Sequence, residues 1–91
     1  MTAQEKTQRL NRMQEIVNAT NFTSTDVASI RELINLANHP DFTGMDHRRA
    51  RLQSYLGRLE GLTQRAAIEK WWDEIRSTVH DFHTEIQLYR H

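Results

Sequence analysis

Histidine is the residue type in this chain best able to bind a metal ion or to exchange a proton near neutral pH. His80 and His83 stand three residues apart, with Asp81 and Glu85 close by, so a helix would place both imidazoles on one face. The chain contains neither an H-E-x-x-H motif nor an E-x-x-H pair of the di-iron type. We therefore expect both histidines to be solvated or interfacial, and we expect no metal site.

The sequence also lacks the usual elements of a catalytic centre. It has no cysteine, no glycine-rich phosphate loop and no G-x-S-x-G motif. Its carboxylates and histidines are scattered over positions that the helical periodicity places on exposed faces. We therefore expect a non-enzymatic protein with no catalytic residue and no cofactor.

Two adjacent tryptophans are the most informative pair for binding. On a helix, Trp71 and Trp72 would point about 100° apart. Only Trp72 belongs to an apolar series with alternating steps of four and three residues, which is coiled-coil spacing. Because tryptophan is enriched at binding hot spots, we predict that Trp71 anchors a partner while Trp72 is buried. The series is Ile68, Trp72, Ile75, Val79, Phe82, Ile86 and Tyr89.

Arginine is concentrated in the middle of the chain. The whole sequence has a formal net charge of zero, yet residues 47–65 contain five arginines against a single glutamate. Arg51, Arg58 and Arg65 recur every seven residues, and we expect them to line one edge of a helix. Such an edge suits an acidic protein partner or the phosphates of a nucleic acid. We favour the simpler interpretation, in which this edge is solvated or its cations are paired with carboxylates of the same chain. Tyr55 is the only aromatic residue interleaved with it.

The elements that position these residues are helices. Apolar residues recur at helical spacing along the whole chain, and one proline and three glycines give too few turns for a β protein. We predict an all-α fold, an elongated bundle of three to four helices with a long C-terminal helix, in a single domain over residues 1–91. The predicted helices span residues 3–19, 24–38, 46–62 and 64–90.

Local signals mark the ends of these helices. Thr2 and Glu5 form a capping box, and Phe22 and Val27 can form a hydrophobic staple. Phe42 and Met45 are expected to anchor the loop before the third helix. The apolar series before and after residues 61–63 are out of phase, and glycine weakens a helix there. We therefore predict a break or kink at that point, with Thr63 as the new N-cap if the helix breaks. The alternative is one long helix with a shift in its exposed face.

The last helix would be about 40 Å long, longer than a compact globule of this size. Its apolar series needs a cover along its whole length, since a large exposed apolar patch is unusual in a soluble monomer. We predict a two-fold homodimer built on this helix. The alternative is that the first helix covers it within the same chain. The predicted interface residues are Trp72, Ile75, Val79, Phe82, Ile86 and Tyr89.

These patterns favour a protein–protein interaction module, such as an adaptor or a stoichiometric inhibitor. Its small size, helical pattern and lack of cysteine are typical of bacterial and phage accessory proteins. With no apolar signal region and no membrane-spanning run, we expect a cytoplasmic protein. The alternative is a nucleic-acid-binding protein that uses the arginine-rich edge of residues 48–65. No helix-turn-helix, zinc-finger or RNA-binding signature supports that alternative.

Overall fold

Four α-helices joined by short connections form an elongated bundle, and the prediction of an all-α fold with a long C-terminal helix is confirmed. The computed structural model describes residues 1–90, which contain no β-strand. The principal extents of the bundle are 44 × 22 × 19 Å. The helices are α1 (Ala3–Ala19), α2 (Val27–Ala37), α3 (Asp46–Leu59) and α4 (Arg65–Arg90).

The helices pack in a ring in which α1 contacts α2 and α4, and α3 also contacts α2 and α4. Contacts between Arg48 and Glu85 and between Tyr55 and Trp71 show that α3 and α4 run antiparallel. All four helices contribute to one core. Its buried residues are Leu10, Met13, Ile16, Ile30, Leu33, Ile34, Ala37, Phe42, Met45, Leu52, Leu56, Trp72, Ile75, Val79, Phe82 and Ile86.

Helix α1 begins and ends at the predicted residues. The Thr2 hydroxyl accepts a hydrogen bond from the Glu5 backbone N–H at 3.1 Å, as expected of an N-cap. Farther along the helix, the Arg12 guanidinium donates two hydrogen bonds to the Glu32 carboxylate of α2, at 2.6 and 2.9 Å. This pairing holds the pKa of the Glu32 carboxyl below its usual range. Both side chains are exposed, so the pair orients α1 on α2 more than it stabilises the fold.

Helix α2 begins three residues later than predicted, because a 3₁₀ turn at Ser24–Asp26 precedes it. The Asp26 carboxylate accepts a hydrogen bond from the Thr23 N–H at 3.0 Å, which holds the pKa of Asp26 below its usual range. Phe22 and Val27, the residues of the predicted hydrophobic staple, both pack against the core from this end of the helix. These local interactions fix the angle at which the chain enters α2.

The connection predicted as a loop before α3 instead forms two short 3₁₀ turns over Pro40–Met45, which meet at a kink at Phe42, where φ is −118° and ψ is 34°. Its anchors are as predicted, since Phe42 and Met45 are both fully buried. The Tyr89 ring packs edge-on against Phe42, with ring centroids 5.2 Å apart. The Tyr89 hydroxyl accepts a hydrogen bond from the Gly44 N–H at 2.8 Å. This connection therefore holds the C-terminal end of α4 in place.

The predicted break between the last two helices is confirmed, although its boundaries differ. Helix α3 ends at Leu59 rather than at residue 62, and α4 begins at Arg65 rather than at residue 64. Gly61 has a φ of +80°, a left-handed conformation that glycine adopts without steric cost. The Gln64 carbonyl accepts the first hydrogen bond of α4, so Gln64 is the N-cap in place of the predicted Thr63.

Helix α1 covers the C-terminal half of α4, which is the intrachain alternative considered above. Phe82 and Ile86 are fully buried within the single chain. Side chains at the edge of this contact are also joined, since Gln87 donates a hydrogen bond to Gln14 at 3.3 Å. Of the six predicted interface residues, five are thus buried within the single chain, and Tyr89 is partly exposed. The homodimer itself stays a prediction, but the exposed apolar face that motivated it does not exist.

Two glycines near this break give a matched test of the turn. We expect Gly61→Ala to destabilise the protein by about 1–2 kcal/mol, because alanine is strained in the left-handed conformation. Gly57 lies inside α3 with no atom within 4 Å of an added Cβ. We expect Gly57→Ala to stabilise the protein by about 0.5–1 kcal/mol. Urea unfolding of both variants measures the difference, and equal shifts of the two midpoints would contradict a turn at Gly61.

Candidate functional site

Antiparallel packing of α3 and α4 brings together residues that are distant in the sequence. The rings of Tyr55 and Trp71 lie 5.4 Å apart between centroids and are tilted by 40°. The guanidinium of Arg58 lies 5.0 Å from the centre of the Trp71 ring, and the Lys70 ammonium lies 6.0 Å from it. Arg51 stands one helical turn before Tyr55 on α3. We call these five residues the Trp71 face.

The two tryptophans occupy different environments, as the sequence predicts. Trp72 is only 9% exposed and belongs to the core. Trp71 is partly exposed and lies outside that core, against Tyr55 and Arg58. The buried position of Trp72 is therefore confirmed within the chain. That Trp71 anchors a partner stays a prediction, since its observed contacts are all within the chain.

Several arginines of the basic region are paired with carboxylates of the same chain. Arg48 is only 32% exposed and bridges α3 to two carboxylates of α4, those of Glu85 and Asp81. The two Arg48 pairs join α3 to α4 and leave little of the Arg48 charge for an external ligand. The ion pairs of this region are Arg48–Glu85 at 2.6 Å, Arg48–Asp81 at 3.8 Å, Arg49–Asp46 at 3.6 Å and Arg65–Glu69 at 3.1 Å.

The cations of the Trp71 face differ from these paired arginines. Within residues 1–90, Arg51, Arg58 and Lys70 form no salt bridge with a carboxylate. Arg51 instead donates a hydrogen bond to the His47 imidazole at 2.7 Å. Arg58 and Lys70 lie near the Trp71 ring, where cation–π attraction favours their charge. The face therefore presents positive charge around two aromatic rings.

The prediction that Arg51, Arg58 and Arg65 line one helix edge is wrong. Arg51 and Arg58 do lie on α3, but Arg65 is the first residue of α4. Seven-residue spacing aligns side chains only along a continuous helix, and the turn at Gly61 interrupts it. The Arg65 side chain is 92% exposed and pairs with Glu69 on its own helix.

The histidines do not form a metal site in the part of the chain that the structure describes. His80 and His83 are both exposed on α4. His80 packs edge-on against Phe22, with ring centroids 6.1 Å apart. No group of three or more metal-ligating side chains occurs within residues 1–90, and none of the helices there has the length and apolarity needed to cross a membrane.

An apolar groove near the α3–α4 turn was not anticipated from the sequence. It has a volume of about 290 Å³ and is walled by α2, by the end of α3 and by the start of α4. Leu59, Leu62 and Ile68 remain partly exposed in its wall. We call this site the hairpin groove. Its apolar lining is Val27, Leu56, Leu59, Leu62, Ile68 and Trp72, and its polar lining is Ser24, Arg31 and Glu60.

The only signal for this groove in the sequence is the phase shift between the two apolar series. A phase shift marks a change of exposed face, but it does not specify the width of the space that the turn leaves. Comparisons with known proteins add no residue assignment here, since no protein-family model, curated protein sequence or solved structure matches the chain.

The two tryptophans should differ in their contribution to stability. We expect Trp72→Ala to cost about 3–5 kcal/mol, since it removes a core aromatic residue. Trp71→Ala should cost only about 1–2 kcal/mol, through lost packing on Tyr55 and lost cation–π contacts. Urea unfolding followed by far-ultraviolet circular dichroism measures both costs. An equal loss in the two variants would place Trp71 in the core and contradict its role as an accessible surface residue.

Proposed function

We propose that this protein is a non-enzymatic interaction module that binds an acidic segment of a partner protein through the Trp71 face. It would act in the cytoplasm as an adaptor or a stoichiometric inhibitor. The observation that carries the proposal is the combination of three cations without carboxylate partners and two aromatic rings on one exposed surface. Tryptophan, tyrosine and arginine are the residues most enriched at protein-binding hot spots.

The geometry of the face favours binding at a low entropic cost. Trp71 is already held against Tyr55, so its ring loses little rotational freedom when a partner covers it. Arg58 and Arg51 can each offer a planar fork of donors to a carboxylate, and arginine forms such bidentate pairs better than lysine. A carboxylate that binds here restores charge balance to cations that have no acidic partner in residues 1–90. An acidic segment is therefore the partner chemistry that fits the face.

The rival function is binding of a single-stranded nucleic acid. The observation that favours it is the placement of Tyr55 and Trp71 beside Arg51 and Arg58, because bases stack on aromatic rings while arginines contact phosphates. The paired state of the other arginines weighs against it. With Arg48 and Arg49, both less than one third exposed, bound to carboxylates, fewer cations remain to follow a phosphate backbone.

Capture of partners from the native host, with quantification by mass spectrometry, tests the proposal. The variant Arg51→Glu/Arg58→Glu reverses the charge of two arginines of the Trp71 face. We therefore expect it to lower recovery of the specific partner by about tenfold or more. Trp71→Ala should also lower it, through loss of the aromatic anchor. The control Lys6→Glu/Arg90→Glu changes the net charge equally at the opposite end of the bundle, and it should retain the partner.

Two outcomes would overturn this proposal. The first is a specific partner that both Trp71-face variants retain as well as the unmodified protein does. The second is submicromolar binding of single-stranded DNA or RNA at about 150 mM salt, lost in Arg51→Glu/Arg58→Glu. A steep decrease of affinity with salt would then identify phosphate contacts and establish the rival function.

A further inference from the structure

We propose that the acidic segment bound by the Trp71 face is an α-helix that lies along α3. Two of its carboxylates, seven residues apart, pair with Arg51 and Arg58. This inference rests on the proposed function and adds the conformation and the charge spacing of the partner. Three features of α3 support it, namely the separation of its two exposed arginines, the aromatic rings between them and the short side chains beside them.

The two arginines are separated by about two turns of helix. Arg51 and Arg58 are seven residues apart on α3, which corresponds to about 10.5 Å along the helix axis. Arg51 donates a hydrogen bond to His47, one turn earlier, at 2.7 Å. Arg58 lies over the Trp71 ring, which contacts Tyr55, again one turn before Arg58. Because both side chains lean toward the start of α3, their guanidinium groups keep this separation of about two turns.

A separation of this size fits a helical partner better than an extended one. On a second helix, residues i and i+7 lie on one face and are also about 10.5 Å apart. On an extended strand, side chains that share a face are about 6.6 or 13 Å apart. Two aspartates or glutamates at i and i+7 of a helix therefore match Arg51 and Arg58 at once, whereas two carboxylates on one face of a strand do not.

The rings between the arginines specify the rest of the partner pattern. Tyr55 lies between Arg51 and Arg58 on α3, and Trp71 packs on it with 5.4 Å between ring centroids. Residues i+3 and i+4 of a partner helix share the face of i and i+7, so they meet these rings when the carboxylates meet the arginines. Apolar side chains at i+3 and i+4 would be removed from water against the two rings. We therefore expect acidic residues at i and i+7 and apolar residues at i+3 and i+4.

Beside the arginines, the outer surface of α3 carries short side chains. Ala50, Ser54 and Gly57 are all exposed, and no atom lies within 4 Å of a Cβ added at Gly57. With about 100° between successive residues, these three positions form a strip next to the two arginines. Packed helices lie about 8–10 Å apart between axes, depending on the side chains at the contact. A second helix can therefore approach α3 closely along this strip, where the arginines reach its carboxylates.

A second copy of this chain is a poorer occupant. Glu74 and Asp81 are the only two acidic residues of the sequence that lie seven positions apart. Thr78, between them on the same face of α4, is only 3% exposed. Asp81 also pairs with Arg48 of its own chain at 3.8 Å. This face of α4 is therefore turned toward α3 of the same chain, and another copy cannot lie along it.

Three synthetic peptides of about 15 residues test the inference without knowledge of the natural partner. The first has glutamates at i and i+7 and leucines at i+3 and i+4, and a hydrocarbon staple on its opposite face keeps it helical. The second is stapled in the same way, but its second glutamate stands at i+5, which points about 140° away from i. The third is the first peptide without the staple and with a central proline, which breaks the helix.

Fluorescence anisotropy of the labelled peptides at about 150 mM salt measures their affinities. We expect the first peptide to bind about tenfold or more tightly than the other two, because it alone can pair with both arginines while its leucines cover the rings.

Variants of the protein show whether the spacing on α3 causes this preference. Ser54→Arg/Arg58→Ser keeps the composition and the net charge but shortens the separation of the two arginines from seven residues to three. It should lose the preference for the first peptide and bind a stapled peptide with glutamates at i and i+3 more tightly. Gly57→Gln places a long side chain in the strip and should weaken the first peptide more than the third. The control Arg76→Ser/Ser77→Arg, an exchange at exposed positions of α4 outside the face, should keep the preference.

The outcomes separate this inference from the proposed function. If all three peptides bind equally and Arg51→Glu/Arg58→Glu abolishes their binding, the helical partner is overturned and the proposed function stands. A preference for the first peptide that persists in Ser54→Arg/Arg58→Ser also overturns the helical partner. So does a first peptide that does not bind at all, in which case capture from the native host still decides the proposed function. Self-association of the free protein that Glu74→Gln abolishes would assign the face to a second copy and overturn both.

Discussion

The packing of α1 against the C-terminal half of α4 is the contact on which the rest of this structure depends. A helix of 26 residues carries an apolar stripe much longer than α3 can cover. Leu10 and Met13 of α1 complete that cover, and Phe82 and Ile86 become fully buried in a single chain. Burial of apolar surface on this scale is the dominant stabilising term in a small helical domain. Without it, α4 would need a second chain along its length.

Although the chain covers its own longest helix, Trp71 and the apolar lining of the hairpin groove stay partly exposed near the α3–α4 turn, and Leu88 is exposed at the other end of α4. Trp71 lies outside the core and stacks with Tyr55 across the hairpin, while Trp72, one position later, closes the groove from the core side. Charges follow the same division. Arg48 is used to hold α3 on α4, whereas the cations around Trp71 lack carboxylate partners in residues 1–90.

Much of this fold could be predicted from periodicity, because helical spacing reports directly on which face of a helix is buried. The break near Gly61 and the burial of Trp72 follow from that spacing. Periodicity does not identify the neighbour that covers a face, so the short apolar stripe of α1 was a weaker candidate than a second copy. Periodicity also does not report where the chain turns. The seven-residue spacing therefore wrongly predicts that Arg65 lies on the same helix edge as Arg51 and Arg58, although Arg65 begins α4. The groove depends on the path of the chain at Leu62, between α3 and α4. No pattern of residue types in the sequence predicts that path.

The most direct test of this description is a cysteine pair across the contact of α1 with α4. The chain has no native cysteine, and the Gln14 and Gln87 side chains meet at their amide tips, 3.3 Å apart. Because these tips lie at the ends of long side chains, a short bismaleimide cross-linker suits cysteines at the two positions better than a disulfide, which needs closer backbones. In dilute solution the cross-linker should join the two thiols of Gln14→Cys/Gln87→Cys within one chain, with a mass near the 10.8 kDa of the single chain. A mixture of the two single-cysteine variants should form no preferential cross-linked dimer. A covalent dimer of twice that mass, formed readily from the mixture, would show that α1 covers the α4 of another chain and would contradict the account.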